Sequence, residues 1–274
     1  MTDGAAARPG IPGEQVKLVV WDLDETIWRG VLAEGPVEVI PGRSELLHGL
    51  VDNGVMVSVS SRNDLAVARE QLERLGLWEL VIFPRINWES KGAQVRDLVD
   101  AAQLRPPNVL FVDDNHLNRE EAAFFAPGLQ VADPADPGFD DLLAAVLAAG
   151  RPDRTRRRLA EYRLLENRTA AAEAFGDNRE FLRSCDIEVR LTERPVDDVD
   201  RLAELVARTN QLNYTKRRVD EAAVRRLLDD PNARTVAVRV RDRFGDYGLV
   251  GFAAVTDGVV EHLAFSCRIL GMGV

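Results

Sequence analysis

Cysteine is nearly absent from this 274-residue chain: Cys185 and Cys267 are the two. That is too few for a disulfide framework, so any special role for either is that of a thiol. Long apolar runs are missing as well. No stretch approaches the roughly 18 consecutive apolar residues of a membrane span, and the opening MTDGAAARPGIPGEQ has no apolar signal core. The expectation is a cytoplasmic protein whose residues 1–14 form a disordered tail. Positive charge is in deficit: 35 Lys and Arg against 45 Asp and Glu leave a net charge of -10, which argues against general nucleic-acid binding. Hydrophobic residues make up 46%, ordinary for the core of one large domain or two smaller ones.

What the chain does have is concentrated from Val16 to Gly30, VKLVVWDLDETIWRG. Val16, Leu18, Val19 and Val20 make a short buried strand that ends in two carboxylates one residue apart, Asp22 and Asp24. In a central parallel strand, that end is the edge where α/β proteins assemble their sites. Neighbouring negative charges repel unless a cation lies between them. A hydrophobic strand followed by Asp-x-Asp-x-Thr therefore reads as a hard-metal site with a carboxylate placed to attack an electrophile. A solvated acidic turn is the bland alternative.

The strand-then-polar-end pattern recurs down the first half. Gly30, Gly35, Pro36 and Pro41 make the segment from Ile27 to Pro41 a loop or short β-flap over the carboxylates. A helix is expected from Ser44 to Gly54, with His48 inside it as a packing or surface residue. A strand from Val55 to Ser60 runs into Ser61-Arg62-Asn63-Asp64 before a helix from Leu65 to Leu75. Ser61 is placed to bind a phosphate oxygen, although it or Asp64 serves equally as a helix cap. A third strand is expected at Leu80 to Phe83 and a helix from Gly92 to Leu104. Lys91 at that helix start opposes the dipole unless an anion neutralises it. The fourth strand, Asn108 to Asp114, again ends in paired carboxylates, Asp113 and Asp114. A helix from Asn118, a strand from Gln130 to Asp133 and a helix from Asp140 to Ala149 complete a parallel sheet sandwiched by helices.

From Gly150 a basic run, RPDRTRRR, leads through a long helical pattern into a second region. There a strand at Ile187 to Leu191, two helices and three closing strands read as α+β. Asp242 to Asp246 suits a tight hairpin turn. Asn210, Gln211 and Asn213 form an amide cluster that either binds substrate or satisfies loop backbone. Cys185 stands where any small apolar residue would serve.

Asp22, Asp24, Ser61, Lys91, Asp113 and Asp114, in this order and at these strand ends, resemble the haloacid dehalogenase (HAD) phosphohydrolase superfamily. The resemblance implies a Rossmannoid three-layer fold, and the short connection from Ile27 to Gly54 leaves room for only a minimal cap. Asp22 would be the nucleophile, Asp24 the acid and base, Ser61 a donor to a phosphoryl oxygen and Lys91 the charge balance. Mg²⁺ would be held by Asp22, Asp24 through its carbonyl, and Asp113 or Asp114. WDLDETIWRGVLAE, SSRND, FVDDN followed by NRE, RTNQLNYTKRR and SCRILGMGV sharpen the resemblance to the FkbH-like proteins of HAD subfamily IIIC. Thr26, Arg62, Asn63, Asn115, Arg119, Asn210 and Asn213 become substrate contacts by that resemblance.

FkbH-like proteins take a glyceryl unit from 1,3-bisphosphoglycerate, remove phosphate and load the unit on an acyl carrier protein of polyketide-type pathways. The resemblance thus implies a phosphorylated small-molecule substrate, a phosphopantetheine-bearing carrier partner, and residues 15–150 as the phosphatase domain. Residues 151–274 would be a smaller GNAT-like domain. In it Cys267 is the candidate acyl-transfer thiol, or else an inert cysteine near a strand end, and Arg268, Gly271 and Gly273 resemble a pyrophosphate-binding turn that stops at Val274 as its helix should begin. His116, Asn118 and Met272 depart from the family pattern. On so acidic a chain, Arg154 to Arg158 and Lys216 to Arg218 are the natural docking surface for an acidic carrier, or else simply solvated helix faces. Two other readings stay open: a plain small-molecule or protein phosphatase of this fold, and a non-catalytic carrier-binding module.

Overall fold

The structure, a computed structural model, describes residues 14–273 apart from 174, 176, 210–211, 267–268 and 270–271. The chain divides into two compact units, Met1–Glu166 and Asn167–Val274. In the first unit β1 (Leu18–Trp21) is followed by β2 (Trp28–Arg29), β3 (Glu38–Val39), α1 (Arg43–Asp52), β4 (Met56–Ser61) and α2 (Leu65–Arg74). Then come β5 (Arg85–Ile86), α3 (Lys91–Ala101), β6 (Val109–Val112), α4 (His116–Phe125), β7 (Gln130–Ala132) and α5 (Phe139–Ala149). Five strands form a parallel sheet in the order β5-β4-β1-β6-β7.

Alternation along β1 explains why its residues are uniformly apolar. Val19 and Trp21 pack with Leu47, Leu50, Ala68, Leu72, Phe139 and Leu143 from α1, α2 and α5. Leu18 and Val20 face the opposite layer, with Val95, Leu98 and Val99 of α3 and Ala122 of α4. A strand buried on both faces has no polar side, and the unit is a three-layer α/β sandwich. The chain steps from β1 outward through β4 to β5, then crosses back to place β6 on the other side of β1. That reversal opens a crevice at the carboxyl ends of β1 and β6.

Two short strands, β2 and β3, pair antiparallel within the Gly- and Pro-rich segment, so the flap is a small hairpin. The strand expected at Leu80 to Phe83 is not one. Trp78–Leu80 is a 3-10 turn, Val81 makes only an isolated bridge to Val57, and the ladder resumes at Arg85–Ile86. The left-handed backbone at Phe83 (φ 46) and the missing N–H of Pro84 interrupt the pairing.

α6 (Arg157–Glu173) begins inside the first unit, where Leu159, Tyr162 and Leu165 pack on its cores. The division therefore falls after Glu166, sixteen residues past the composition change at Gly150, a distance set by those apolar contacts. The basic run also turns inward in part. Arg156 Nε donates to Asp52 Oδ1 at 2.8 Å and Arg158 donates to the Gly54 carbonyl, so both guanidiniums are committed within this unit.

The second unit contains α7 (Asn178–Ser184), β8 (Glu188–Glu193), α8 (Val199–Arg208), α9 (Glu221–Asp229), β9 (Ala233–Asp242), β10 (Gly245–Thr256) and β11 (Val259–Phe265). Its four strands are antiparallel in the order β11-β10-β9-β8. One face is covered by Leu202 and Val206 of α8 and Val224 and Leu228 of α9, packed on Ala237, Phe252 and Ala264. Asp242 closes the β9–β10 turn by accepting from the Phe244 and Gly245 amides. Cys185 is buried, and its Sγ lies 3.1 Å from the Phe181 carbonyl. Among the described residues, no helix is long and apolar enough to cross a membrane.

Candidate active site

The end of β1 is pinned to β6 by the Asp22 amide, which donates to the Val112 carbonyl at 2.8 Å. The Asp22 and Asp113 carboxylates therefore leave adjacent strands side by side. Between them lies Lys91, the first residue of α3 and 2% exposed. Its Nζ donates to Asp22 Oδ1 at 2.5 Å, to the Ser60 carbonyl at 2.6 Å, and lies 3.1 Å from Asp113 Oδ2. An ammonium has three protons, and all three find oxygen. The cation at the helix start is thus matched by two anions, which removes the penalty its position implies.

Burial dominates the ionisation of Asp22. Its carboxyl is raised to about 6, first by desolvation; Lys91 opposes that shift and the negative charge of Asp113 reinforces it. Asp114, at the rim, is also raised, by desolvation and then by Asp113. Carboxylate oxygens of Asp22, Asp113 and Asp114 lie within 4.8 Å of one another. Three hard oxygen donors at that spacing, only partly balanced by Lys91, fit a small divalent cation.

A second network starts at Asp24, half-buried at the base of the flap. Asn63 Nδ2 donates to Asp24 Oδ2 and to Ser61 Oγ, each at 3.0 Å. Ser61 and Asn63 are buried, at 1% and 3% exposure. The Ser61 hydroxyl accepts from Asn63 and keeps its own proton to donate. Asp64, and not Ser61, caps α2, its side chain accepting from the Ala66 and Val67 amides. Of the two roles open to Ser61, capping is thereby taken by its neighbour.

Other residues named from the sequence are placed differently. Thr26 is fully buried, and its hydroxyl has no hydrogen-bond partner. Arg62 is exposed and lies 3.7 Å from Glu121. Asn115 is the N-cap of α4, accepting from the Leu117 amide. Arg119 donates to the Asp113 carbonyl at 2.6 Å and to Asp133 Oδ2 at 2.8 Å. Asn115 Oδ1 and the Arg119 guanidinium thus take part in holding the β6–α4 loop. In the second unit Asn213 is buried, donating to the Arg217 carbonyl and accepting from Thr215, as a loop-satisfying amide does. Gly273 takes a left-handed backbone, φ 70. Asn210, Gln211, Cys267, Arg268 and Gly271 lie outside the described residues.

Two participants, Trp28 and Gln94, escaped the sequence reading of the site, and a third, Asn118, was noted there only as a departure from the family pattern. Trp28 donates from Nε1 to Asp24 Oδ1 at 2.8 Å. Asn118 donates to both Asp113 oxygens, at 3.0 and 3.1 Å. Gln94, one helical turn after Lys91, accepts from Ser60 Oγ at 2.8 Å and donates to Asn87, so it fixes the start of α3 against the end of β4. The spacing Lys91-x-x-Gln94 was the available signal for the last, since residues three apart share a helix face.

No family model matches the chain, and no curated protein does. Solved structures are similar over part of it. The N-terminal part of the protein BF1531 from Bacteroides fragilis, containing a phosphatase domain complexed with Mg, is 26% identical over 51% of this chain, with a TM-score of 0.44. The match spans 42% of that chain, less than half its length. The cobalt-bound octulosonate 8-phosphate phosphatase YrbI from Haemophilus influenzae is 15% identical over 61% of this chain and 97% of its own, with a TM-score of 0.36. A haloacid dehalogenase-like family hydrolase from Xanthomonas campestris is 14% identical over 54% of this chain and 97% of its own, at 0.41.

Proposed function

We propose that the first unit is a Mg²⁺-dependent phosphoryl-transfer domain of the HAD type. The observation that carries this reading is the buried Lys91 ammonium shared by Asp22 and Asp113 at the carboxyl ends of two adjacent strands. Asp22, Asp113, Asp114 and the Asp24 carbonyl would hold Mg²⁺, which when bound neutralises charge on the phosphoryl oxygens. Asp22 attacks phosphorus, and the bond to the leaving oxygen breaks as Asp24 gives that oxygen a proton. Water then attacks the Asp22 acyl phosphate and gives its proton to Asp24, which restores both carboxyls and frees phosphate. Lys91 holds the nucleophile in place and balances its charge, and Ser61 donates to a phosphoryl oxygen.

The finer reading is that the phosphoryl donor is a phosphoglyceryl compound, 1,3-bisphosphoglycerate, and that the chain supports glyceryl loading on an acyl carrier protein. It is supported by the sequence motifs of the second half, with Cys267 as the acceptor thiol and the turn from Arg268 to Gly273 as the pantetheine site. The test is mass spectrometry of a carrier protein incubated with this chain, Mg²⁺ and 1,3-bisphosphoglycerate. A glyceryl adduct on the carrier that disappears with Cys267→Ala, while phosphate release continues, supports it. Phosphate release with no adduct on chain or carrier reduces the function to a plain phosphatase.

A further inference from the structure

Three donors hold the Asp24 carboxylate, and two of them belong to the flap. Trp28 Nε1 lies 2.8 Å and the Leu32 amide 3.1 Å from Oδ1, while Asn63 Nδ2 lies 3.0 Å from Oδ2. A carboxylate oxygen offers two lone-pair positions. Oδ1 is therefore filled by the flap, and Oδ2 keeps one position open. Trp28 is fully buried, is the first residue of β2, and packs in the core with Trp21, Leu23 and Ile27. The flap is anchored on the same side by the Gly30 amide, which donates to Glu25 Oε1 at 2.7 Å, and by the Ile40 amide, which donates to the Ile27 carbonyl. A core-packed ring thus carries its one polar atom to one oxygen of the half-buried carboxylate.

We infer that Trp28 is a positioning residue that latches the flap to Asp24, fixing Oδ1 so that Oδ2 alone exchanges protons. The inference rests on the reading of Asp24 as acid and base. Asn63 completes the geometry, because its second N–H goes to Ser61 Oγ and so aligns Oδ2 with the hydroxyl assigned to the phosphoryl group. In the first step the proton leaves Oδ2 for the departing oxygen as the Asp22–phosphorus bond forms. In the second, Oδ2 takes the proton of the water whose oxygen bonds to phosphorus as the Asp22–phosphorus bond breaks. Without the indole N–H the carboxyl torsion is held from the flap side by the Leu32 amide alone. Such a terminal torsion is broad, so the two oxygens interchange and the proton path is lost for part of the time.

The steps separate with p-nitrophenyl phosphate, whose leaving group departs without a proton while water attack still needs Oδ2. The variants are Trp28→Phe and, to keep the bicyclic shape, benzothienylalanine at position 28, with Asp24→Asn beside them, all with Mg²⁺. The expected result is a retained burst of one p-nitrophenol per protein. After it the steady-state rate falls about tenfold to a hundredfold and KM falls with it, because only the second step is slowed, so kcat/KM stays within about twofold of wild type. Circular dichroism establishes folding; if Trp28→Phe unfolds, the isosteric variant carries the test. Wild-type turnover in both Trp28 variants beside an inactive Asp24→Asn overturns the latch and leaves the role of Asp24 standing. Burst and turnover lost in proportion make Trp28 a packing residue only and also overturn the latch. Full turnover by Asp24→Asn overturns the role of Asp24 itself.

Discussion

Asp22 and Asp113 share one buried cation: Lys91 Nζ lies 2.5 Å from an oxygen of the first and 3.1 Å from an oxygen of the second. Removing that cation leaves two carboxylates facing each other in a dry crevice. Lys91→Met is therefore expected to destabilise the protein by about 3–5 kcal/mol, the range for breaking a buried ion pair from one side. Adding Asp22→Asn to it should recover part of the loss, because one uncompensated charge goes with it. Urea unfolding of the two variants checks both values; a Lys91→Met protein as stable as wild type would contradict the arrangement.

The raised carboxyl of Asp22 has a direction in pH. Its unfolded value is 3.8 and its folded value about 6, so between those limits the native state binds more protons than the unfolded chain. Stability then falls as pH rises through that window. In metal-free protein, the difference in unfolding free energy between wild type and Asp22→Asn should change in that sense from pH 4 to pH 6. Wild type should lose stability relative to the variant as pH rises. A difference that is flat, or of opposite slope, would mean that desolvation is not the leading influence on Asp22.

Gly92 is the second residue of α3, and a Cβ there would lie 2.5 Å from Phe125 Cδ2 and 2.9 Å from Glu121 Cγ of α4. The close approach of these helices needs a residue without a side chain. Gly92→Ala is expected to cost about 1–3 kcal/mol through overpacking, and it displaces the helix that carries Lys91. Gly35→Ala, where nothing lies within 4 Å, is the control that should leave the melting temperature unchanged.

The parallel sheet and its acidic edge were legible because strand ends are marked by an abrupt change from apolar run to carboxylate, at Asp22 as at Asp113. Lys91 was legible as a cation placed where a helix dislikes one. The third strand was misread because an apolar tetrapeptide carries no sign of the left-handed turn at Phe83 that stops it. Trp28 was passed over for a related reason. A tryptophan four residues after an aspartate, in a segment rich in Gly and Pro, has no periodicity to reveal that its N–H returns to Asp24. Arg119 and Arg156 show the converse: an arginine beside a charged motif looks available until the structure shows the carbonyl or carboxylate it already holds.

The most direct measurement is covalent trapping of the protein during turnover. Wild type and Asp22→Asn are mixed with Mg²⁺ and a phosphate monoester, quenched in acid within the first turnovers, and digested for mass spectrometry of the peptide spanning β1 and the flap. A phosphoryl group on Asp22 in wild type, absent from Asp22→Asn together with phosphate release and abolished by chelating Mg²⁺, is the predicted result. Undiminished phosphate release by Asp22→Asn, with no phosphorylated aspartate in either protein, would contradict it.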